Sequence, residues 1–144
     1  MYNALIFLHV TSALLLGTYV LFPLVSGRLT DLSGPAREGF VMMLLNYLRA
    51  GHFALIGVLL TGGGMIGLAG TRPSVLWMVT AVALVIVIGG VIGNINKGLK
   101  KLLAAGKAGS DIAGHARDIK ISGWIAAGAI VAAILIMTNP GLLS

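Results

Sequence analysis

Four apolar stretches, each long enough to cross a membrane, dominate this sequence. They run from about residue 3 to 25, 40 to 69, 75 to 95 and 121 to 137, and Arg49 is the one charged residue inside them. A helix of about 20 residues crosses a ~30 Å hydrocarbon layer at ~1.5 Å per residue. The whole chain is 58% hydrophobic and 10% charged, whereas soluble domains carry about 25% charged residues. The sequence therefore predicts an all-α, polytopic membrane protein with four transmembrane helices.

The distribution of basic residues predicts how these helices are oriented. Arg28 and Arg37 lie between the first two stretches, six more basic residues lie between residues 97 and 120, and Arg72 alone lies on the opposite side. Under the positive-inside rule both termini face outward and the basic loops face the cytoplasm. We therefore predict one domain over residues 1–144, an up-down-up-down four-helix bundle in the cytoplasmic membrane of a prokaryote.

The loop between the third and fourth stretches carries its own helical signals. "NKGLKKLLAAG" places leucines on one face and lysines on the other, which predicts that the third helix continues past the membrane into a basic hairpin at about 97–120. Ser110 is a favourable N-cap, so we predict a last helix that opens at Asp111. Pro140 lies just beyond the predicted end of that helix.

The residues that the spans lack exclude several classes of function. The chain has no cysteine, which excludes disulfides, thiolate metal sites and iron–sulfur clusters. The four acidic residues all lie in the predicted loops, which argues against an ion-coupled transporter and against a carboxylate-bridged metal pair. They are Asp31, Glu38, Asp111 and Asp118. No nucleic-acid module is present, and we attribute the net charge of +6 to membrane orientation and anionic lipid.

Small residues recur at the spacing used by closely packed membrane helices. GxxxG spacing occurs at Gly63 with Gly67 and at Gly89 with Gly93, which predicts tight packing inside the bundle or a homodimer. The "TGGG" run that contains Gly63 also leaves room for a flat cofactor against the backbone, so Gly63 is a candidate cofactor-binding residue. Both interpretations stand on the sequence.

Two histidines lie inside the predicted spans, where an ionisable side chain is costly and marks a candidate functional site. His9 lies about 9 Å from the outer boundary, and His52 lies near 25 Å from it on the second helix. Their axial separation is therefore on the order of 15 Å if both helices are upright, which argues against one haem held by both unless helix tilt shifts the register. The alternatives are two separate sites, or one haem whose second ligand is not histidine.

Arg49 strengthens the functional interpretation of His52. An imidazole nitrogen binds haem iron, and an arginine one turn nearer the cytoplasm suits a haem propionate at the membrane interface. His9 and His52 are thus candidate axial ligands of b-type haem, with Arg49 as a propionate partner. The structural alternative is that Arg49 extends to the lipid headgroups while the histidines hydrogen-bond neighbouring helices.

Three segments together resemble a known group of membrane proteins. They are "IFLHVTSALLLGTYVLFPLVSGRL", "NYLRAGHFALIGVLLTGGGMIGL" and "NKGLKKLL". The pattern is similar to the small four-helix proteins grouped around the copper-resistance D family, which include haem-binding bacterial protoporphyrinogen oxidases of the HemJ type. The resemblance implies that His9 matches the first-helix haem ligand and that Arg49 matches the basic residue opening the second helix.

The sequence leaves three functions to distinguish. The first is a membrane protein that binds haem b and transfers electrons or carries out haem-linked redox chemistry, and whether it is also an enzyme stays open. The second is a non-enzymatic small subunit or assembly factor whose glycine faces contact other membrane subunits. The third is a channel or carrier for a small solute that passes Arg49. In each case the lipid bilayer is a partner.

Overall fold

The computed structural model describes residues 1–68 and 73–143, and within these ranges the chain is helical and contains no strand. Four helical segments are long and apolar enough to cross a membrane, with a mean hydropathy of 1.6 to 2.7 in their most apolar windows. These are Tyr2–Leu29, α3 (Gly34–Leu68), α4 (Val75–Lys107) and α5 (Ala113–Thr138). The predicted four-helix membrane architecture is confirmed. Ala69 and Arg72, used to place a span boundary and the orientation, lie outside the described residues.

The first membrane segment is not one regular helix. It consists of α1 (Tyr2–Gly17), a 3₁₀ turn (Thr18–Leu21), the short helix α2 (Phe22–Ser26) and a second 3₁₀ turn (Gly27–Leu29). Pro23 lies in the first turn of α2, where its missing N–H needs no helical acceptor. The tighter turn changes the direction of the side chains, so that α1 packs on α3 while α2 packs on α5.

The contact between α2 and α5 depends on a glycine. A Cβ placed on Gly123 would lie 3.0 Å from the Phe22 ring and 3.4 Å from Cγ of Pro23. Phe22 and Pro23 are both buried there. The small residue on α5 thus lets the bulky pair of α2 lie against the helix backbone.

The best-packed part of the bundle lies toward the two basic loops, which we call the hairpin end; the opposite end is the terminal end. Most of the side chains with less than 2% exposure lie in this half: Leu29, Val41, Leu44, Leu48, Ile92, Ile95, Leu99, Leu102 and Ile119. The helices there extend beyond the predicted spans, since α3 begins at Gly34 and α4 runs to Lys107. The 35 residues of α3 measure about 52 Å, well beyond a ~30 Å hydrocarbon layer. The predicted extension of the third helix is confirmed.

The connection between α4 and α5 differs from the predicted cap by two residues. Ile112, not Ser110, is the N-cap of α5, and it makes no side-chain capping bond. Oδ1 of Asp111, the residue before the cap, accepts a hydrogen bond of 3.0 Å from the Ala113 amide. Ser110 instead completes the end of α4 by donating its backbone N–H to the Ala105 carbonyl at 2.9 Å. Gly109 allows this turn with a φ of +70°, a conformation that glycine adopts without steric cost.

At the terminal end, α4 is tied to the last residues of the chain. The Trp77 indole N–H donates to the Ile136 carbonyl at 2.9 Å, and the Ser74 hydroxyl donates to the Leu143 carbonyl at 2.7 Å. The Ser74 oxygen also accepts from the Trp77 amide and so caps α4. Pro140 follows the end of α5 at Thr138, as predicted.

Candidate functional site

Side chains of the first membrane segment pack against glycines of α3 along one continuous contact, which we call the α1–α3 seam. The pairs are Gly64 with Leu5, Gly62 with His9, Gly57 with Ser12, and Gly51 with Tyr19. A Cβ on Gly62 would lie 3.3 Å from Cε1 of His9. Inside the bundle, the room that "TGGG" leaves at Gly62 and Gly64 is therefore filled by His9 and Leu5.

His9 is fixed in the seam by a threonine of α3. Its Nδ1 lies 2.9 Å from the Thr61 hydroxyl, and that hydroxyl donates to the Gly57 carbonyl at 2.5 Å. Because the hydroxyl has one hydrogen, Nδ1 of His9 must be the donor to the threonine oxygen. The neutral imidazole then carries its lone pair on Nε2.

His52 has the same arrangement on a different face of α3. Its Nδ1 lies 3.0 Å from the Leu48 carbonyl, and a carbonyl oxygen only accepts hydrogen bonds. The lone pair of the neutral ring is again on Nε2. No buried side-chain nitrogen or oxygen lacks a hydrogen-bond partner in the described residues, so the Nε2 of each half-buried imidazole is at least partly accessible.

The two histidines do not converge on one point within one chain. His9 lies at the level of Thr61, nine residues from His52 along α3, a distance of about 13 Å. Nine residues also turn the helix through about 900°, which places Thr61 and His52 on opposite sides of it. One iron therefore cannot be bound by both side chains in this bundle.

Arg49 lies three residues from His52 and is exposed. Within the described part of the chain the one ion pair joins Lys107 to Glu38 at 3.8 Å, so the guanidinium of Arg49 has no carboxylate partner there. Counted from Leu68, Arg49 lies about 28 Å along α3, near the hairpin-end limit of a ~30 Å hydrocarbon layer. A cation at that level can pair with an anionic group at the membrane interface.

Arg49 and His52 belong to a longer surface, the outer stripe of α3. Its members are Arg49, His52, Ile56, Leu60, Gly63 and Gly67, spaced by three or four residues. They fall within a sector of roughly 80°. The side chains of Arg49, Ile56 and Leu60 are exposed, as is that of Phe53 beside the stripe. His52 is half-buried. A Cβ on Gly63 or Gly67 would have nothing within 4 Å.

The outward position of Gly63 corrects the expectation that this GxxxG pair packs helices inside the bundle. A Cβ on Gly93 or Gly128 would likewise have nothing within 4 Å, whereas one on Gly89 would meet Leu55 at 3.6 Å. The glycines that do pack on the first segment, at positions 51, 57, 62 and 64, do not follow GxxxG spacing. Gly63 also lies eleven residues, about 16 Å, from His52.

A tyrosine cluster, which was not predicted from the sequence, lies at the end of the seam nearer the hairpin end. The rings of Tyr19 and Tyr47 are stacked with centroids 4.3 Å apart and planes at 9°. Tyr19 donates its hydroxyl hydrogen to the Tyr47 carbonyl, and the Tyr47 hydroxyl lies 2.5 Å from that of Thr18. Tyrosine is uncharged at neutral pH, so it does not stand out among ionisable residues, although its hydroxyl needs a partner when buried.

Other candidate sites are small. The described residues contain no group of three His, Cys, Asp or Glu side chains placed to hold a metal ion. A pocket at the hairpin end, lined by Arg37, Glu38 and Lys107 among others, has a volume of about 30 Å³, room for water molecules only.

No protein-family model, curated protein or solved structure matches this chain. The similarity to the copper-resistance D group therefore stays a prediction.

Thr61→Val is expected to lower the free energy of unfolding by about 0.5–1.5 kcal/mol, the range measured for hydrogen bonds between membrane helices. Valine keeps the shape of threonine but leaves the Nδ1–H of His9 without its acceptor. The measurement is unfolding in mixed detergent micelles. Thr138→Val is the control, because the Thr138 hydroxyl donates only within its own helix; equal effects of the two changes would contradict this description of the seam.

Proposed function

We propose that this protein binds haem b in the cytoplasmic membrane of a prokaryote and transfers electrons there, with His52 as an axial ligand and Arg49 as a propionate partner. The observation that carries the proposal is the state of His52. Its Nδ1–H is held by the Leu48 carbonyl, so its Nε2 is free and at least partly accessible. A metal-binding histidine characteristically donates its other ring N–H to such an acceptor, which fixes the ring and its tautomer.

The residues around His52 fit a haem better than those around His9. Arg49 supplies an unpaired cation one turn away, at the level where propionates meet the membrane interface. Phe53 and Ile56 are 68% and 53% exposed and offer apolar surface to a flat ring. His9, in contrast, lies against Gly62 inside a seam that its own side chain fills. We therefore assign His9 to packing, although its free Nε2 keeps it chemically competent as a ligand.

The chain's own residues would determine how the group behaves. Haem iron supplies reversible one-electron chemistry when bound. The Leu48 carbonyl orients the His52 ring and raises its basicity, Arg49 fixes the direction of the propionate edge, and the apolar side chains of the outer stripe keep water away. Each of these contributions acts on the reduction potential through ligation, charge or burial.

Titration with haem tests this proposal. Purified protein in detergent, mixed with increasing haem b, is expected to give a shifted Soret band that saturates at a fixed ratio to the chain. The same titration with detergent alone is the blank. A spectrum that stays identical to that blank at every ratio would overturn the proposal.

One observation favours a second function, that of a non-enzymatic subunit of a larger membrane complex. Gly63 and Gly67 present bare backbone to the membrane, and such a face typically packs against another helix. Solubilisation of native membranes in a mild detergent distinguishes the two. A stable assembly with other chains, combined with a colourless protein, would favour the subunit function.

A further inference from the structure

We propose that the haem site is completed by a second copy of this chain, paired through the outer stripe of α3 about a two-fold axis parallel to the membrane normal. The inference rests on the proposed function and adds the second ligand, the partner and the stoichiometry. It predicts one haem per two chains, with one His52 from each copy on the iron.

The described chain offers half of a six-coordinate site. His52 supplies one imidazole, and His9 cannot supply the other, because it lies about 13 Å away along α3 on the opposite side of the helix. The remaining histidine, His115, lies two residues into α5 at the hairpin end. A histidine at the level of His52 can therefore come only from another copy or another protein.

Two-fold symmetry supplies that histidine at the correct depth. An isologous pair uses the same surface on both copies, and an axis along the membrane normal keeps every residue at its own level. His52 then faces His52, and two Arg49 side chains lie on the same edge of the site. A haem carries two propionates, so each Arg49 guanidinium can pair with one propionate carboxylate.

The glycines of the stripe set the distance between the two helices. Helices that meet at a GxxxG pair cross at about 40°. His52 lies thirteen residues from the midpoint of Gly63 and Gly67, about 20 Å along α3, where the two axes are about 15 Å apart. Directly packed helices have axes 8–10 Å apart. At His52 the two helices are thus roughly 5 Å farther apart than in direct packing, which is enough for a flat ring between two imidazoles. At the glycines the two helices are in contact.

Single-cysteine crosslinking tests the pairing directly, because the chain contains no cysteine of its own. Leu60→Cys, at a stripe position that is 68% exposed, is expected to form a disulfide-linked dimer under mild oxidation in membranes. Val131→Cys is the matched control, since Val131 is 53% exposed on α5 at a similar distance from the terminal end. Equal crosslinking at the two positions, or none at Leu60→Cys, would overturn the inference.

A second pair of variants links the dimer to the haem. Gly63→Leu fills the close approach and is expected to abolish both the Leu60→Cys crosslink and the six-coordinate spectrum. Gly128→Leu adds the same side chain at another open glycine and is expected to change neither. Haem bound at one per chain in an unpaired protein would overturn this inference while leaving the proposed function intact. Paired chains that bind no haem would overturn both.

Discussion

Gly51→Ala is expected to destabilise the bundle by about 1–2 kcal/mol, although alanine is the better helix former by about 1 kcal/mol. A Cβ at Gly51 would lie 2.5 Å from the Tyr19 hydroxyl oxygen and 2.6 Å from the ring carbon that bears it. The Tyr19 side chain cannot easily move, because its ring is buried and stacked on that of Tyr47, and its hydroxyl donates a hydrogen bond to the Tyr47 carbonyl. The new methyl group therefore separates the first membrane segment from α3.

Gly128→Ala is the control for this effect. Nothing lies within 4 Å of a Cβ at Gly128, so this change keeps the gain in helix propensity without the clash, and the protein should be equally or slightly more stable. Unfolding in mixed detergent micelles, followed by tyrosine and tryptophan fluorescence, measures both variants. A Gly51→Ala protein as stable as Gly128→Ala would show that the seam is not packed as described.

His52→Ala is expected to weaken haem binding by more than about 100-fold, because loss of an outer-shell partner alone typically costs 10–100-fold in metal affinity and this change removes a ligand. His9→Ala is expected to leave haem affinity nearly unchanged and to lower stability instead, since it empties the space against Gly62 and removes the bond to Thr61. The two histidines thus separate into a binding role and a packing role.

His115→Ala serves as the control for haem bound adventitiously by an imidazole outside the membrane. Titrations of the four proteins, wild type and three single variants, give the affinities under one set of conditions. A loss of affinity with His9→Ala as large as that with His52→Ala would contradict the assignment of His9 to packing and favour the ligand role that the sequence resemblance implies.

Hydropathy and charge were sufficient to predict the four helices. The leucines of NKGLKKLLAAG also predicted that α4 continues past the membrane, whereas α3 begins at Gly34, six residues before the predicted span. The predicted cap of α5 was wrong, since the turn at Gly109 commits the Ser110 amide to the end of α4 and the helix begins after Ile112.

The glycines of the seam could not be predicted from GxxxG spacing. On the first segment the seam follows ordinary helical spacing, since Leu5, His9 and Ser12 lie within α1 and only Tyr19 lies in the 3₁₀ turn. The sequence pattern emphasised Gly63 and Gly67, whereas the bundle uses Gly51, Gly57, Gly62 and Gly64 for internal contact. The depth of the histidines, in contrast, follows from the rise per residue: the predicted separation of about 15 Å compares with about 13 Å along α3.

The most direct measurement of the central claim is the reduced-minus-oxidised visible spectrum of wild-type protein isolated from membranes of haem-sufficient cells. The account predicts a Soret band with α and β bands that sharpen when dithionite is added and disappear on reoxidation, at one haem per two chains. The His52→Ala protein, isolated in parallel, should lack these bands. A colourless wild-type protein that also stays colourless after haem is supplied would contradict the account.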